Sequence, residues 1–333
     1  MYKILYIFNF NENNMKKFIK RVLILVVIIF LIDYLFSLLL DFGRPEDYKA
    51  FIDSKLSYQK YKKETQILFI GDSHTADAFV PSEIKKLTGK NTFNYGVYHM
   101  SPVEGYFILQ DLLKRSKSLE YVVLGTNPTM FNRNVTEGKY TPMFIKNYLV
   151  FLELLTVTEC KNLSVITRSG KKLDLFLPMI KKFFTGHESK TVRNIKNIDR
   201  GYLENVKSYT DINDLHCKNK IYKNSKKVIP LQVEYFNKSI RLLKQNNIMV
   251  VIANPPINHM YIEDIKNTNV YKNYNFIIDS IAKNNNIEIY NQNQRNKNIN
   301  LINEDFLNGE HLCYTGALKN STEFAKYFNN LFL

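Results

Sequence analysis

The chain has 333 residues, of which 45% are hydrophobic, so it can bury the core of one large domain or of two small ones. The formal net charge of +15 suggests an anionic partner, unless it only reflects the even spread of Lys through the sequence. No compact basic motif indicates a nucleic-acid-binding protein. The cysteines lie far apart, and no zinc-type Cys or His spacing occurs, so we expect neither a metal nor another cofactor.

An apolar run near the N-terminus predicts a membrane anchor. Residues 22–40 contain only three polar side chains, and about 20 apolar residues span a bilayer core. Basic residues at 16–21 precede the run and predict a cytoplasmic N-terminus by the positive-inside rule. We expect a single-pass protein of the cell membrane in which residues 1–40 form the tail and anchor and the remainder is extracytoplasmic. A cleaved signal peptide is the alternative, although no small-x-small cleavage site follows the run.

Residues 41–63 are polar and charged and predict a partly helical connector, after which strands and helices alternate through residues 64–333. Short apolar runs predict five strands, at 66–70, 92–97, 121–126, 249–253 and 287–290. Helical patterns occur at 81–87, 102–117, 231–246, 261–283 and 315–332. This alternation predicts an α/β fold with a parallel sheet covered on both faces.

The interval at about 132–228 interrupts this alternation. It is rich in Lys, Asn and aromatic residues, with helical patterns at 143–155 and 173–184. We interpret it as a mostly helical insertion over the active edge of the sheet.

The sequence ILFIGDSHTADAF, at residues 67–79, places a serine directly after a buried strand. In open parallel sheets, ligands bind at the carboxyl ends of the strands. Ser73 follows the first strand, Gly96 ends the second, and Asn127 follows the third, so all three lie at that edge. A serine nucleophile needs a base and donors for the oxyanion. His311, just before the last helix, is the candidate base.

These motifs resemble those of the SGNH (GDSL-like) hydrolase superfamily. The matching segments are GDS at 71–73, NYGV around Gly96, GTN at 125–127 and EHL around His311. The resemblance covers about 66–127 and 231 to the C-terminus. It implies a three-layer α/β/α fold around a five-stranded, flavodoxin-like parallel sheet. It also implies Ser73 as nucleophile, His311 as base, and an oxyanion hole made by Ser73, Gly96 and Asn127.

One position departs from the superfamily pattern. An aspartate usually lies three residues before the histidine, and this chain has Asn308, with Asp305 and Glu310 nearby at other spacings. An asparagine can select the wrong imidazole tautomer, at a cost of about four orders of magnitude, or it can orient the histidine through its oxygen. An active Ser73–His311–Asn308 triad and a pseudoenzyme therefore both stay open.

Further polar residues near the motifs are candidates for weaker roles. His74 would contact substrate or would only cap its turn, and His99, just after Gly96, would line the same edge as a substrate-binding residue. Asp72 is expected to order the turn through backbone hydrogen bonds and not to react. His259 follows the fourth strand and could face the cleft.

The GDSHT motif on an anchored chain resembles the membrane-tethered SGNH proteins that work beside multispanning O-acyltransferases, in teichoic-acid D-alanylation and exopolysaccharide O-acetylation. The resemblance implies that Ser73 carries an acetyl or D-alanyl group as an ester and passes it to a cell-envelope polymer. The implied partners are a multispanning O-acyltransferase, the membrane, and a polymer or lipid-ester substrate. The alternatives are a plain esterase or lipase and a non-catalytic scaffold with a degenerate triad.

Overall fold

The computed structural model describes part of the chain, and most of the described residues belong to one compact unit, Pro45–Cys160 with Ser189–Leu333. The described residues are 16–25, 27–28, 31–32, 46–133, 145, 148–157, 195–205, 211–218, 220–223, 227–293 and 300–332. Those between 16 and 32 are helical and exposed and belong to a second unit. Most of the predicted anchor at 22–40 lies outside the described residues. Among the residues that are described, no helix is long and apolar enough to cross a membrane.

Five parallel strands form the central sheet, as predicted. They are β1 (Ile67–Gly71), β2 (Thr92–Gly96), β3 (Tyr121–Gly125), β6 (Met249–Asn254) and β7 (Ile289–Asn291). Two antiparallel pairs are separate from it, β4 (Ile195–Asp199) with β5 (Tyr202–Asn205) and β8 (Phe306–Asn308) with β9 (His311–Leu312). The central order is β2-β1-β3-β6-β7, which is the flavodoxin-like order 2-1-3-4-5 once the five strands are counted in sequence.

The helices connect these strands and continue to the C-terminus. They are α1 (Glu46–Leu56), α2 (Tyr58–Tyr61), α3 (Ser73–Ala78), α4 (Pro81–Thr88), α5 (Pro102–Leu113), α6 (Tyr148–Val157), α7 (Lys220–Lys223), α8 (Pro230–Gln245), α9 (His259–Ile265), α10 (Asn269–Asn285) and α11 (Tyr314–Phe332). Short 3₁₀ helices cover Ile212–Leu215 and Asn303–Asp305. The single helix predicted at 261–283 is two helices, because the Thr268 side chain accepts the Tyr271 N–H and starts a new helix.

Alternate residues of the central strands face different helices. The Phe69 ring lies 5.0 Å from the Phe324 ring of α11, in an apolar core that contains buried residues of both elements. On the other face, Ile70 and Leu124 line a cavity of about 30 Å³ with Phe236 of α8. Both faces of the sheet are therefore covered, which is the three-layer arrangement expected for short, wholly apolar parallel strands.

The described part of the predicted insertion contains α6, α7, the 3₁₀ helix Ile212–Leu215 and the β4–β5 hairpin. The pattern at 173–184 lies outside the described residues. The hairpin covers the β2 edge of the sheet, where Asn94 N–H donates to the Arg200 carbonyl at 2.9 Å. Lys55 of α1 joins the two by donating to the carbonyls of Asn94 and Gly201. Burial lowers the pKa of Lys55 to about 7.

Two glycines at strand ends leave room for α3, which carries the serine. A Cβ atom built on Gly71 would lie 2.1 Å from Thr75 Oγ1, and one on Gly125 would lie 1.7 Å from the same atom. Thr75 is fully buried in α3. The glycines therefore set how closely α3 approaches the ends of β1 and β3.

We predict that Gly125→Ala lowers the free energy of unfolding by about 1–3 kcal/mol, the usual cost of overpacking a well-packed site. Gly105→Ala is the matched control, because a Cβ there would lie 3.4 Å from the flexible end of Met100 and the site is inside α5. That change should be neutral or slightly stabilising. Urea unfolding of the purified full-length chain measures both, and equal effects would contradict the packing argument.

Candidate active site

Asp72 links β1 to α3 and presents Ser73 at the edge of the sheet. It is the N-cap of α3, and its Oδ1 accepts the His74 backbone N–H at 3.0 Å. Ser73 is the first residue of the helix. Its own N–H is one of the first four helical N–H groups, which have no partner within a helix. The ordering role predicted for Asp72 is therefore seen in the structure.

His311 and Asn308 lie in line with Ser73. The Ser73 Oγ is 2.9 Å from His311 Nε2, and Asn308 Oδ1 is 2.9 Å from His311 Nδ1. These distances are in the hydrogen-bonding range for a nucleophile, its base and the group that orients the base. The structure thus brings together the three residues that the sequence proposed as a triad.

The orientation of the Asn308 amide follows from its neighbours. Its Oδ1 accepts the backbone N–H groups of Glu310 at 2.9 Å and of His311 at 3.1 Å. A flipped amide would point its NH₂ group at those two donors, so the oxygen must face them and His311 Nδ1 together. His311 Nδ1 must then carry a proton, which leaves the Nε2 lone pair for the Ser73 hydroxyl. Asn308 therefore selects the tautomer that a general base needs.

The turn that carries these residues is held by neighbouring segments. Gly309 N–H donates to the Asp214 carbonyl at 2.9 Å, and the Gly309 carbonyl accepts Asn258 N–H at 3.0 Å. A Cβ on Gly309 would lie 2.4 Å from the Leu215 carbonyl oxygen, so no side chain fits there. The 3₁₀ helix Ile212–Leu215 and the loop before α9 thus fix the β8–β9 turn and the base on it.

The Asp72 carboxylate also organises the groups around the serine. Its Oδ2 accepts Asn127 Nδ2 at 2.6 Å and Arg133 Nη1 at 2.9 Å, and its Oδ1 lies 3.3 Å from His74 Nδ1. Burial alone would raise the pKa of Asp72, but the positive groups of His74 and Arg133 hold that pKa well below its usual range. Asp72 is therefore ionised at any ordinary pH.

His74 is buried directly behind the base. Its ring is stacked on the His311 ring, with the centroids 5.0 Å apart, and its Nε2 lies 3.9 Å from Glu310 Oε1. Burial alone would lower the pKa of His74, but Asp72 and Glu310 raise it above the ordinary value. Contact of His74 with substrate stays a prediction, and in the structure its side chain is buried at 3% exposure.

The candidate oxyanion donors are placed unequally. Asn127 commits one Nδ2 hydrogen to Asp72, while its Oδ1 accepts from Thr129, so its second Nδ2 hydrogen is the one left for an oxyanion. The Gly96 N–H donates to Asn94 Oδ1 at 2.9 Å, contrary to the prediction for this residue. A Cβ on Gly96 would lie 2.4 Å from the Ala76 nitrogen, so the glycine is required for packing against α3.

Other candidates lie farther from this arrangement. His99 is exposed in the loop after β2, with a left-handed φ of 61°, and its role stays a prediction. His259 is exposed at the start of α9. Asp305 accepts Lys319 Nζ at 2.7 Å and is turned toward α11, so it does not take the place of Asn308. Within the described ranges, no three His, Cys, Asp or Glu side chains are grouped to hold a metal ion.

Arg133 is the main residue that the sequence did not indicate. It is 8% exposed, and besides the Asp72 contact its Nε donates to Thr129 Oγ1 at 3.0 Å. Gln232 of α8 donates to the Arg133 carbonyl at 3.0 Å. The one feature of the sequence that could have indicated a role for Arg133 is its position six residues after the GTN motif, in the segment that follows the third strand.

We predict that Asn308→Ala slows labelling of Ser73 by a fluorophosphonate probe by up to about four orders of magnitude, the loss that a wrong imidazole tautomer causes. Asn308→Asp should keep or raise the rate, since a carboxylate accepts the same N–H groups and also stabilises the imidazolium. Asn267→Ala, at an exposed position between α9 and α10, is the control. Unchanged labelling in Asn308→Ala would contradict the orienting role.

We predict that Asp72→Asn lowers the free energy of unfolding by about 3–5 kcal/mol near neutral pH, because it leaves Arg133 and His74 buried without their counter-charge. The folded-state pKa of Asp72 is depressed, so its contribution is present above the unfolded pKa of about 4 and is lost as the pH falls below it. The difference from wild type should therefore shrink in acid. Urea unfolding at several pH values tests this, with exposed Asp53→Asn as the control. A difference that does not vary with pH would refute it.

The strand order is the one that the resemblance to the SGNH superfamily implied, and Ser73 and His311 lie within hydrogen-bonding distance at its edge. A comparison with curated proteins found no match. Two solved structures are similar at low identity. A protein from Streptococcus pneumonia, provisionally described as a platelet activating factor, is 13% identical with a TM-score of 0.42, over 84% of this chain and 93% of that one. A GDSL-like lipase from Bacteroides thetaiotaomicron is 11% identical with a TM-score of 0.41, over 84% of this chain and 99% of that one.

A family model also matches residues 14–319, which include the serine, the asparagine and the histidine described above. The chain belongs to this family, which is described as "Protein of unknown function (DUF1574)".

Proposed function

We propose that this protein is a membrane-anchored, extracytoplasmic serine acyltransferase or esterase that moves an acyl group to or from a cell-envelope polymer. The observation that carries the proposal is the 2.9 Å contact between Ser73 Oγ and a His311 Nε2 whose tautomer is set by Asn308. A serine hydroxyl becomes nucleophilic when a neighbouring base takes its proton.

The chemistry would proceed in two halves. Ser73 Oγ attacks the acyl carbonyl while its proton passes to His311 Nε2, and the bond to the leaving group breaks as that group takes the proton. The acyl group is then an ester on Ser73. In the second half a polymer hydroxyl gives its proton to His311 and attacks the ester, and Ser73 leaves with the proton. Water in place of the hydroxyl gives hydrolysis, so the acceptor alone separates a transferase from an esterase.

Two local groups support oxyanion formation. The Ser73 N–H lies in the first turn of α3, and the free Nδ2 hydrogen of Asn127 is held at the neighbouring strand end by Asp72. Removal of one such donor typically costs about 10²–10³ in rate. Asn308 is neutral and adds little stabilisation to the His311 imidazolium, which suits a slow transfer reaction better than rapid turnover.

The cellular setting of the proposal comes from the N-terminal sequence. The apolar run at 22–40 with basic residues before it would anchor the chain and place Ser73 outside the cytoplasm. Acyl groups activated in the cytoplasm must cross the membrane to reach such a site. A multispanning O-acyltransferase would be the partner that delivers an acetyl or D-alanyl group to Ser73.

Ser73→Ala is the central test, made in a deletion strain complemented at matched protein levels with wild type, Ser73→Ala or Ser280→Ala. Ser280 is a control on the α10 helix, where its Oγ donates to the Phe276 carbonyl at 2.6 Å. We expect Ser73→Ala to abolish the change in polymer acylation that wild type restores, and Ser280→Ala to behave as wild type. The measurement is the ester content of the purified envelope polymer.

The direction of the change separates the reaction types. Acylation that falls on deletion indicates a transferase, and acylation that rises indicates an esterase. Equal acylation with wild type and Ser73→Ala would mean that Ser73 is not the nucleophile, and a scaffold role would then explain the protein better.

A further inference from the structure

His74 follows Ser73 in the sequence, but its side chain packs against His311. It is 3% exposed, its ring is stacked on His311 at 5.0 Å, and the two ring planes are 29° apart. Backbone and side chain are both fixed by Asp72 Oδ1, at 3.0 Å from the His74 nitrogen and 3.3 Å from Nδ1. His74 therefore forms a rigid surface against which the base lies.

Both ring nitrogens of His74 face carboxylates. Nδ1 faces Asp72, and Nε2 is 3.9 Å from Glu310 Oε1, with no hydrogen-bond partner among the described residues. A neutral imidazole would direct a lone pair at one of the two carboxylates. The doubly protonated imidazolium presents an N–H to each, so this placement favours a buried cation.

The charged groups around His74 come from three segments. Asp72 caps α3, Arg133 follows β3 and bonds to the other Asp72 oxygen, and Glu310 lies in the β8–β9 turn beside His311. Burial raises the pKa of the Tyr222 and Tyr261 phenols, and the negative charge of nearby Glu310 raises both pKa values further. The two cations His74 and Arg133 balance the two anions Asp72 and Glu310 overall. Within this group, His74 is the cation whose ring is stacked on His311.

We propose that His74 is a positioning residue for the base, which holds the His311 ring by stacking and, as a buried imidazolium between Asp72 and Glu310, sets the pH at which His311 is free to accept a proton. The inference deepens the proposed function and rests on it for its catalytic meaning. A cation in contact with the ring disfavours a second positive charge on His311, so the base stays neutral to lower pH. Asn308 supplies no opposing charge, which leaves His74 and Glu310 as the groups that tune His311.

Substitution of His74 and substitution of Glu310 should move the pKa of His311 in opposite directions. His74→Gln removes the cation and leaves Glu310 near the base, so the pKa of His311 should rise, by about one unit. Glu310→Gln removes the anion, so the pKa should fall by a similar amount of about one unit. Glu304→Gln is the matched control, since it removes an equal charge from an exposed position of the same segment.

The test is a pH titration, by NMR, of the full-length chain labelled with ¹³C in its histidine rings. The sequence has six histidines, so the spectrum contains few signals. The His311 signal is assigned by its loss in His311→Ala, and the titration needs no turnover. Opposite shifts in His74→Gln and Glu310→Gln, with none in Glu304→Gln, support the proposal. Shifts of the same sign in the two variants, or no shift in either, would overturn it.

A second readout keeps this inference separate from the proposed function. The pH dependence of kcat/KM for p-nitrophenyl acetate reports the free base, and its acid limb should move with the His311 titration. Hydrolysis that does not depend on Ser73 would sink the proposed function while the titration still decides the role of His74. Ser73-dependent hydrolysis with identical acid limbs in all variants would sink the role of His74 alone.

Discussion

One buried carboxylate, that of Asp72, organises the site, and the other polar groups depend on it. It is the N-cap of α3, so it fixes the position of Ser73, the first residue of that helix. Its second oxygen accepts hydrogen bonds from Asn127 and Arg133. An ionised carboxylate is stable in such surroundings only when each oxygen is met by donors or positive charge. The residues that satisfy Asp72 are also those that lie around Ser73. Folding stability and site geometry are consequently two results of one set of contacts.

The neutral Asn308 separates two tasks that a carboxylate usually performs together. Orientation of the base requires only an oxygen held toward Nδ1, and two backbone N–H groups of the β8–β9 turn hold it there. Stabilisation of the imidazolium requires negative charge, which Asn308 lacks. Glu310, the residue before His311, carries such a charge, and its Oε1 lies 3.9 Å from His74 Nε2. Asn308 thus keeps the orienting part of the role that a carboxylate has in such a triad and lacks the charge-stabilising part.

The sequence predicted the sheet well because its strands are short apolar runs that end in glycine or a polar residue, as at Gly71 and Gly125. It also placed Ser73, Gly96 and Asn127 at one edge, since that follows from the parallel order of their strands. His311 lies on the separate β8–β9 pair, and its place beside Ser73 was predicted from its position before the last helix and from the resemblance to the SGNH superfamily. The sequence could not predict the contact between Arg133 and Asp72, because Arg133 lies in the loop after β3, where no helical or strand periodicity indicates which side chains turn inward. The oxyanion role predicted for Gly96 differs from its contacts in the structure for a related reason. A sequence does not distinguish a glycine required for close packing from one required for the approach of a ligand.

The cavity of about 30 Å³ between β1, β3 and the α5–α8 face lies directly beside Asp72 and Asn127. The pocket is partly open to the surface, and its lining combines the apolar Ile70, Leu124 and Phe236 with these two polar groups. A small apolar molecule that entered it would lie against the carboxylate that fixes Ser73. Such a molecule would act on the position of Ser73 from behind the strand ends, without contact with the serine hydroxyl.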